Sequence, residues 1–98
     1  MSDDLFCWDD GNQPKIEERF DIEEVEEIFD DEHRIPAPAH RGWYRGQVER
    51  RYAIIGLSAS NRLLFLTYTW RGPCIRVISA RFAEDEEQNA YWEKRRKS

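Results

Sequence analysis

The run RLLFLTYTWRGPCIRVISARFA, residues 62–83, places two stretches rich in β-branched and aromatic residues on either side of a Gly-Pro pair. That is the pattern of two strands joined by a turn. The first stretch is apolar on both faces, as in a central strand covered on both sides. With Gly72 and Pro73 as the central turn residues, Arg71 faces Cys74, Trp70 faces Ile75 and Thr69 faces Arg76. Arg71, Thr69 and Arg76 then share one face, and Arg81 lies on the other unless a bulge intervenes. Proline is awkward in a two-residue hairpin. A longer loop, or a slip of one residue, would change which arginines share a face.

Upstream, QVERRYAIIGLSA (47–59) alternates, with Tyr52, Ile54 and Gly56 on one side and Arg51, Ala53 and Ile55 on the other. A turn at 59–61 joins it to the next strand, giving a three-stranded antiparallel meander. Downstream, EDEEQNAYWEKRR (84–96) reads as a helix with acids first and bases last, which suits the helix dipole. Glu87 and Tyr91 stand four apart on one face of it. The clearest helix is DIEEVEEIFDD (21–31): Asp21 caps it, Glu24 completes a capping box, and Ile22, Val25, Ile28 and Phe29 form its apolar face. The glutamates between them face water. Pro36 and Pro38 make residues 31–45 an irregular loop or edge. LFCWDD (5–10) reads as a short edge strand. The expected fold class is α+β: an antiparallel meander with N-terminal and C-terminal helices packed on one face, in a single domain over residues 1–98.

The net charge of −5 hides a pattern. Residues 1–32 carry 14 acids and 2 bases, a net of −12. Residues 33–82 carry 9 arginines and the single acid Glu49, a net of +8. A basic middle in an acidic wrapper fits a polyanion-facing surface, and equally fits two halves that neutralise each other. The opening MSDDLF has no apolar h-region, and no apolar run approaches a membrane span, so a cytoplasmic protein with no membrane contact is expected. In that compartment Cys7 and Cys74 are expected to be reduced and buried. Together with His33 and His40 they lack zinc-site spacing, and no metal or cofactor is implied. Arginine is planar, permanently charged and able to donate two parallel hydrogen bonds, so it suits phosphate, while Trp70 or Tyr68 beside it could stack on a base. The plainer reading pairs these arginines with the acids of the helices.

Residues 50–91 resemble the C-terminal half of the BrnT family. The matching residues are Ile55, Gly56 and Ser58; Arg62, Leu63 and Leu64; Arg71 and Gly72; Ile75, Arg76, Ile78, Ser79, Ala80 and Arg81; then Glu87 and Tyr91. FCWD at 6–9 resembles the family's opening Phe-x-Trp-Asp, and the first long helix is similar too. The chain departs at Asn12, where the family usually has lysine, at Ile16, where it usually has asparagine, and at Arg19, Phe20 and Asp21, where it usually has Lys-His-Gly.

The resemblance implies a RelE-like fold and a metal-independent endoribonuclease toxin. In such enzymes the RNA 2′-hydroxyl attacks the adjacent phosphorus, which calls for a base, cations at the phosphate and an acid for the leaving oxygen. It makes Arg71, Arg76 and Arg81 the candidate catalytic residues at the phosphate, and Arg51, Arg62 and Trp70 candidate RNA contacts. His33, His40, Glu49 and Glu87 are candidate bases, each also readable as a surface or structural group. The implied partners are RNA, a BrnA-like ribbon-helix-helix antitoxin, and operator DNA only through the antitoxin complex. Trp43, Tyr44, Trp70 and Trp92 are candidates for antitoxin docking or for the core. The acidic wrapper and the two lost basic positions favour an alternative, a non-enzymatic protein-binding module on the same scaffold.

Overall fold

In the computed structural model, which describes residues 5–97, the hairpin from Leu63 to Phe82 organises everything else. The elements are α1 (Gln13–Glu17), α2 (Ile22–Asp30), β1 (Ile35–Ala37), β2 (Gly42–Tyr44), β3 (Gln47–Glu49), β4 (Tyr52–Leu57), β5 (Leu63–Arg71), β6 (Cys74–Phe82) and α3 (Asp85–Lys97). The fold is α+β. Four antiparallel strands lie in the order β1-β4-β5-β6, and β2 and β3 form a separate hairpin. Residues 1–4, which carry part of the acidic opening, lie outside the described residues.

The β5–β6 register is the one expected: Arg71↔Cys74, Trp70↔Ile75 and Thr69↔Arg76. Gly72 has φ +59°. Proline's ring then fixes the next φ negative, so the pair has the φ signs of a type II′ turn and needs no longer loop. Further along, Tyr68 pairs with Val77 but Thr67 pairs with Ser79, so Ile78 is an extra, bulged residue.

Alternation gives the sheet two faces. Ile54, Leu64, Leu66 and Val77 pack with Val25, Ile28, Ile16 and Phe20 beneath α1 and α2. Ile55, Leu57, Leu63 and Phe65, at the alternate positions, pack with Tyr91 of α3. The helices therefore cover both faces, not one, because the meander's strands are apolar on both sides.

Several local expectations change. LFCWDD forms no strand; its pairing reduces to a parallel bridge, Phe6↔Ile75, and a Cys7 N–H bond to the Ile75 carbonyl at 2.8 Å. That approach brings Cys7 and Cys74 to a Cα separation of 5.7 Å in a disulfide, so neither is a buried reduced thiol. Residues 31–45 are not irregular throughout. Ile35–Ala37 is an edge strand on β4, where Pro36 is tolerated, and Gly42–Tyr44 pairs with β3. The stretch 47–59 is two strands rather than one, since β3 folds back on β2 around Arg45 and Gly46, both at positive φ. Asp21 occupies the N-cap position of α2 without a side-chain cap bond. Glu24 is buried and engaged with Arg62, instead of closing a capping box or facing water.

Candidate nucleic-acid interface

The bulge at Ile78 decides the geometry of the arginines. Without it, Arg81 would fall opposite Arg76. With it, Ser79 and Arg81 pair with Thr67 and Phe65, and so join Thr69, Arg71 and Arg76 on one face. The meander thus presents three guanidinium groups and the hydroxyls of Thr67 and Ser79 along one side of its two longest strands.

Each of these arginines is held by a carboxylate. Arg71 donates from Nε and Nη2 to the two oxygens of Glu49 at 2.7 and 3.2 Å, with its guanidinium 3.5 Å from the centre of the Tyr44 ring. Arg76 Nη1 donates to Asp9 at 2.6 Å. Arg81 makes two 2.8 Å bonds to Glu87 and lies 4.1 Å from the Phe65 ring centre. The arginine hydrogen bonds hold Glu49 and Glu87 below the ordinary carboxylate range, against the opposing effect of burial. Asp9 is lowered by Arg76 and then by the Gly11 N–H. All three carboxylates are therefore ionised at neutral pH, which makes them weak proton acceptors and good organisers of guanidinium planes. A phosphate offers oxygens of the kind that Glu49 and Glu87 supply in pairs and Asp9 singly.

The remaining candidates divide. His40 lines a cleft of about 520 Å³ with Arg81, Thr67, Phe65 and Glu87, so one of the two imidazoles reaches the arginine face. His33 stands instead beside Glu32, at 3.5 Å. Arg51 lies 3.8 Å from Glu49, next to the Arg71 pair. Arg62 is not brought to this face; it is bound by Glu24 in a hollow lined by Asp21, Glu23 and Glu27. Trp70 alternates with Arg71 and Thr69, so it projects from the opposite face, where it is exposed. Trp43 and Trp92 are also exposed, and Tyr44 lies beneath Arg71.

Asp9 escapes a reading of the sequence because its partner is 67 residues away. The available signal is local: Asp9 Oδ1 accepts the Gly11 N–H at 2.7 Å, an Asp-x-Gly turn. Asn12 supports that turn from a buried position. Its Oδ1 accepts the Asp9 N–H, and its Nδ2 donates to the carbonyls of Cys7 and Val77. Phe20 is a core residue, edge-on to Phe82 at 5.1 Å. Tyr91 is fully buried and donates to Asp31 at 2.6 Å. Glu87 and Tyr91, the last motif residues of the resemblance, are thus a guanidinium holder and a core phenol.

Among the described residues, no group of three or more His, Cys, Asp or Glu side chains is placed to hold a metal ion, and no helix is long and apolar enough to cross a membrane. Comparison with curated proteins finds no match. The family model for the ribonuclease toxin BrnT of type II toxin–antitoxin systems matches residues 8–87, which include all three face arginines and their carboxylates, and the chain belongs to that family.

Proposed function

We propose that residues 1–98 act as one BrnT-like domain, a metal-independent endoribonuclease toxin that cleaves RNA in the cytoplasm and so inhibits translation. The observation that carries this reading is the sharing of one sheet face by Arg71, Arg76 and Arg81. Charge builds on the non-bridging oxygens as the 2′-hydroxyl attacks phosphorus. Pre-oriented guanidinium groups stabilise that charge without reorganising. Arg71, Arg76 and Arg81 take this role, each exchanging a carboxylate for phosphate. His40, which lines a cleft with Arg81 but not with Arg71 or Arg76, is the base candidate. A BrnA-like ribbon-helix-helix antitoxin would neutralise the toxin by covering the arginine face, and DNA would be met only through that complex.

A second reading follows from the ion pairs themselves. With each guanidinium already satisfied by a carboxylate, the same face would serve a non-enzymatic protein-binding module. Cleavage of end-labelled structured RNA at low salt with a chelator present separates the two. Cleavage lost in Arg76→Ala supports the nuclease. No cleavage by folded wild-type protein supports the binding module.

A further inference from the structure

A second basic cleft, of about 580 Å³, opens beside the β2–β3 hairpin, and none of Arg71, Arg76 and Arg81 lines it. Arg41, Arg50 and Arg51 line it with Tyr52 and Tyr68, the rest of its wall is largely apolar, and no carboxylate is among its lining residues. Its size falls within the roughly 300–1,000 Å³ of small-ligand sites. Arg41 and Arg50 make no ion pair with any described residue, unlike Arg71, Arg76 and Arg81. Arg51 Nε is buried with no hydrogen-bond partner, Glu49 standing 3.8 Å off, outside bonding reach. Tyr52 and Tyr68 stack on each other with ring centres 5.5 Å apart and planes at 26°, and the Arg50 guanidinium lies 5.6 Å from the Tyr52 ring centre. On the hairpin, Val48 lines the cleft and pairs directly with Trp43, so the Trp43 indole, 70% exposed, stands on the same hairpin face.

We infer that this cleft binds unpaired RNA, taking a phosphate between Arg41 and Arg50 and stacking bases on the tyrosine ledge and Trp43. The inference rests on the nuclease reading for its ligand class and extends it to a subsite outside the cleaved bond. Cations alone would suit any acidic partner. Cations alternating with flat aromatic faces suit single-stranded nucleic acid, since every base has a π-face to stack.

The test is anisotropy of a dye-labelled oligoribonucleotide, 2′-O-methylated throughout so that it cannot be cleaved, titrated at low and raised salt. Arg41 and Arg50 are exposed, so R41A/R50A should keep the wild-type unfolding midpoint. We expect it to weaken binding about tenfold or more and to lower the salt slope by about 0.7 for each phosphate no longer neutralised. Trp43→Ala should weaken binding with the slope unchanged, since stacking releases no counterions. R41A/R50A affinity within twofold of wild type, or no binding by wild type, overturns the proposal; the first would leave the cleft to an acidic protein segment. Binding that the double variant loses, in a wild type that cleaves no RNA, keeps the cleft and removes the nuclease. Cleavage of native RNA with unchanged double-variant affinity does the reverse.

Discussion

Glu24 and Arg62, 38 residues apart, tie α2 to the β4–β5 turn. Arg62 Nε donates to Glu24 Oε2 at 2.8 Å, Nη2 engages the other oxygen, and the hydroxyls of Ser58 and Ser60 donate to Oε2 at 2.9 and 2.8 Å. Arg62 foremost, with the two serines, lowers the Glu24 carboxyl from 4.5 to about 2, while burial opposes the shift. The unfolded chain then binds this proton more tightly than the native one. The contribution is full above the ordinary carboxylate range and is lost as pH falls through 4.5 toward about 2. Glu24→Gln should flatten the acid limb of the stability curve there. It should cost about 2–3 kcal/mol at neutral pH, less than a fully buried pair because the Arg62 side chain is 43% exposed. Urea unfolding across pH measures both.

The buried Tyr91 gives a second test, aimed at whether this motif tyrosine is chemical or structural. Burial, then the Asp31 carboxylate, pushes its phenol up to about 12. The neutral phenol is the stabilised form, so its contribution is present below pH 10 and fades as pH rises toward about 12. Tyr91→Phe should cost about 1–2 kcal/mol. Asp31 keeps the Leu57 and His33 N–H donors, so the fold should survive. RNA cleavage per folded molecule should be unchanged, and the alkaline loss of stability should shrink.

The meander and its register were legible because Gly72-Pro73 marks the turn and the side chains alternate on either side. The bulge was not, for Ile78 sits in a smooth Val-Ile-Ser-Ala run with no glycine to mark it, and it reverses the face of Arg81. Arginine density was visible, but the pairing of each guanidinium depended on neighbours that only folding supplies. Glu87 lies six residues from Arg81, whereas Glu49 and Asp9 lie 22 and 67 from their partners. The disulfide followed the same logic: compartment argued for thiols, and only the passage of the N-terminal segment along β6 brings the cysteines together. The Glu24 capping box failed because an arginine beyond the helix is a better partner for a carboxylate than an exposed N–H.

Asp9 shields Arg76, whose side chain is only 15% exposed. Removing that negative charge should favour a phosphate at the same place. Asp9→Asn should raise RNA affinity several-fold at low salt, and the gain should shrink as salt rises. Arg76→Ala should lower the single-turnover cleavage rate by about 100-fold or more, the scale of removing one pre-oriented transition-state donor. A rate in Arg76→Ala equal to that of wild type would place Arg76 outside the chemistry.

The Cys7–Cys74 bond spans 67 residues. On chain-entropy grounds a loop of that length stabilises by about 4 kcal/mol. Urea unfolding with and without a dithiol reductant should differ by that order, and Cys7→Ser should match the reduced wild type. Thiol titration of the denatured, unreduced protein should find no free cysteine; two would show that the bond is not formed.

The resemblance puts Phe20 at a position usually held by histidine, and placing a histidine there asks whether the α1–α2 side of the sheet takes part in catalysis. Phe20 is buried against Phe82, with the Arg19 and Arg62 guanidinium groups 5.5 and 5.6 Å from its ring centre. An imidazole there exchanges an apolar ring for a polar one in the core, and the two neighbouring cations disfavour its charged form. Phe20→His should therefore cost about 2–3 kcal/mol without raising cleavage per folded molecule. The check is thermal unfolding together with single-turnover cleavage, normalised to the folded fraction. A gain in cleavage would move the reacting groups to the α1–α2 side of the sheet and count against the face of Arg71, Arg76 and Arg81.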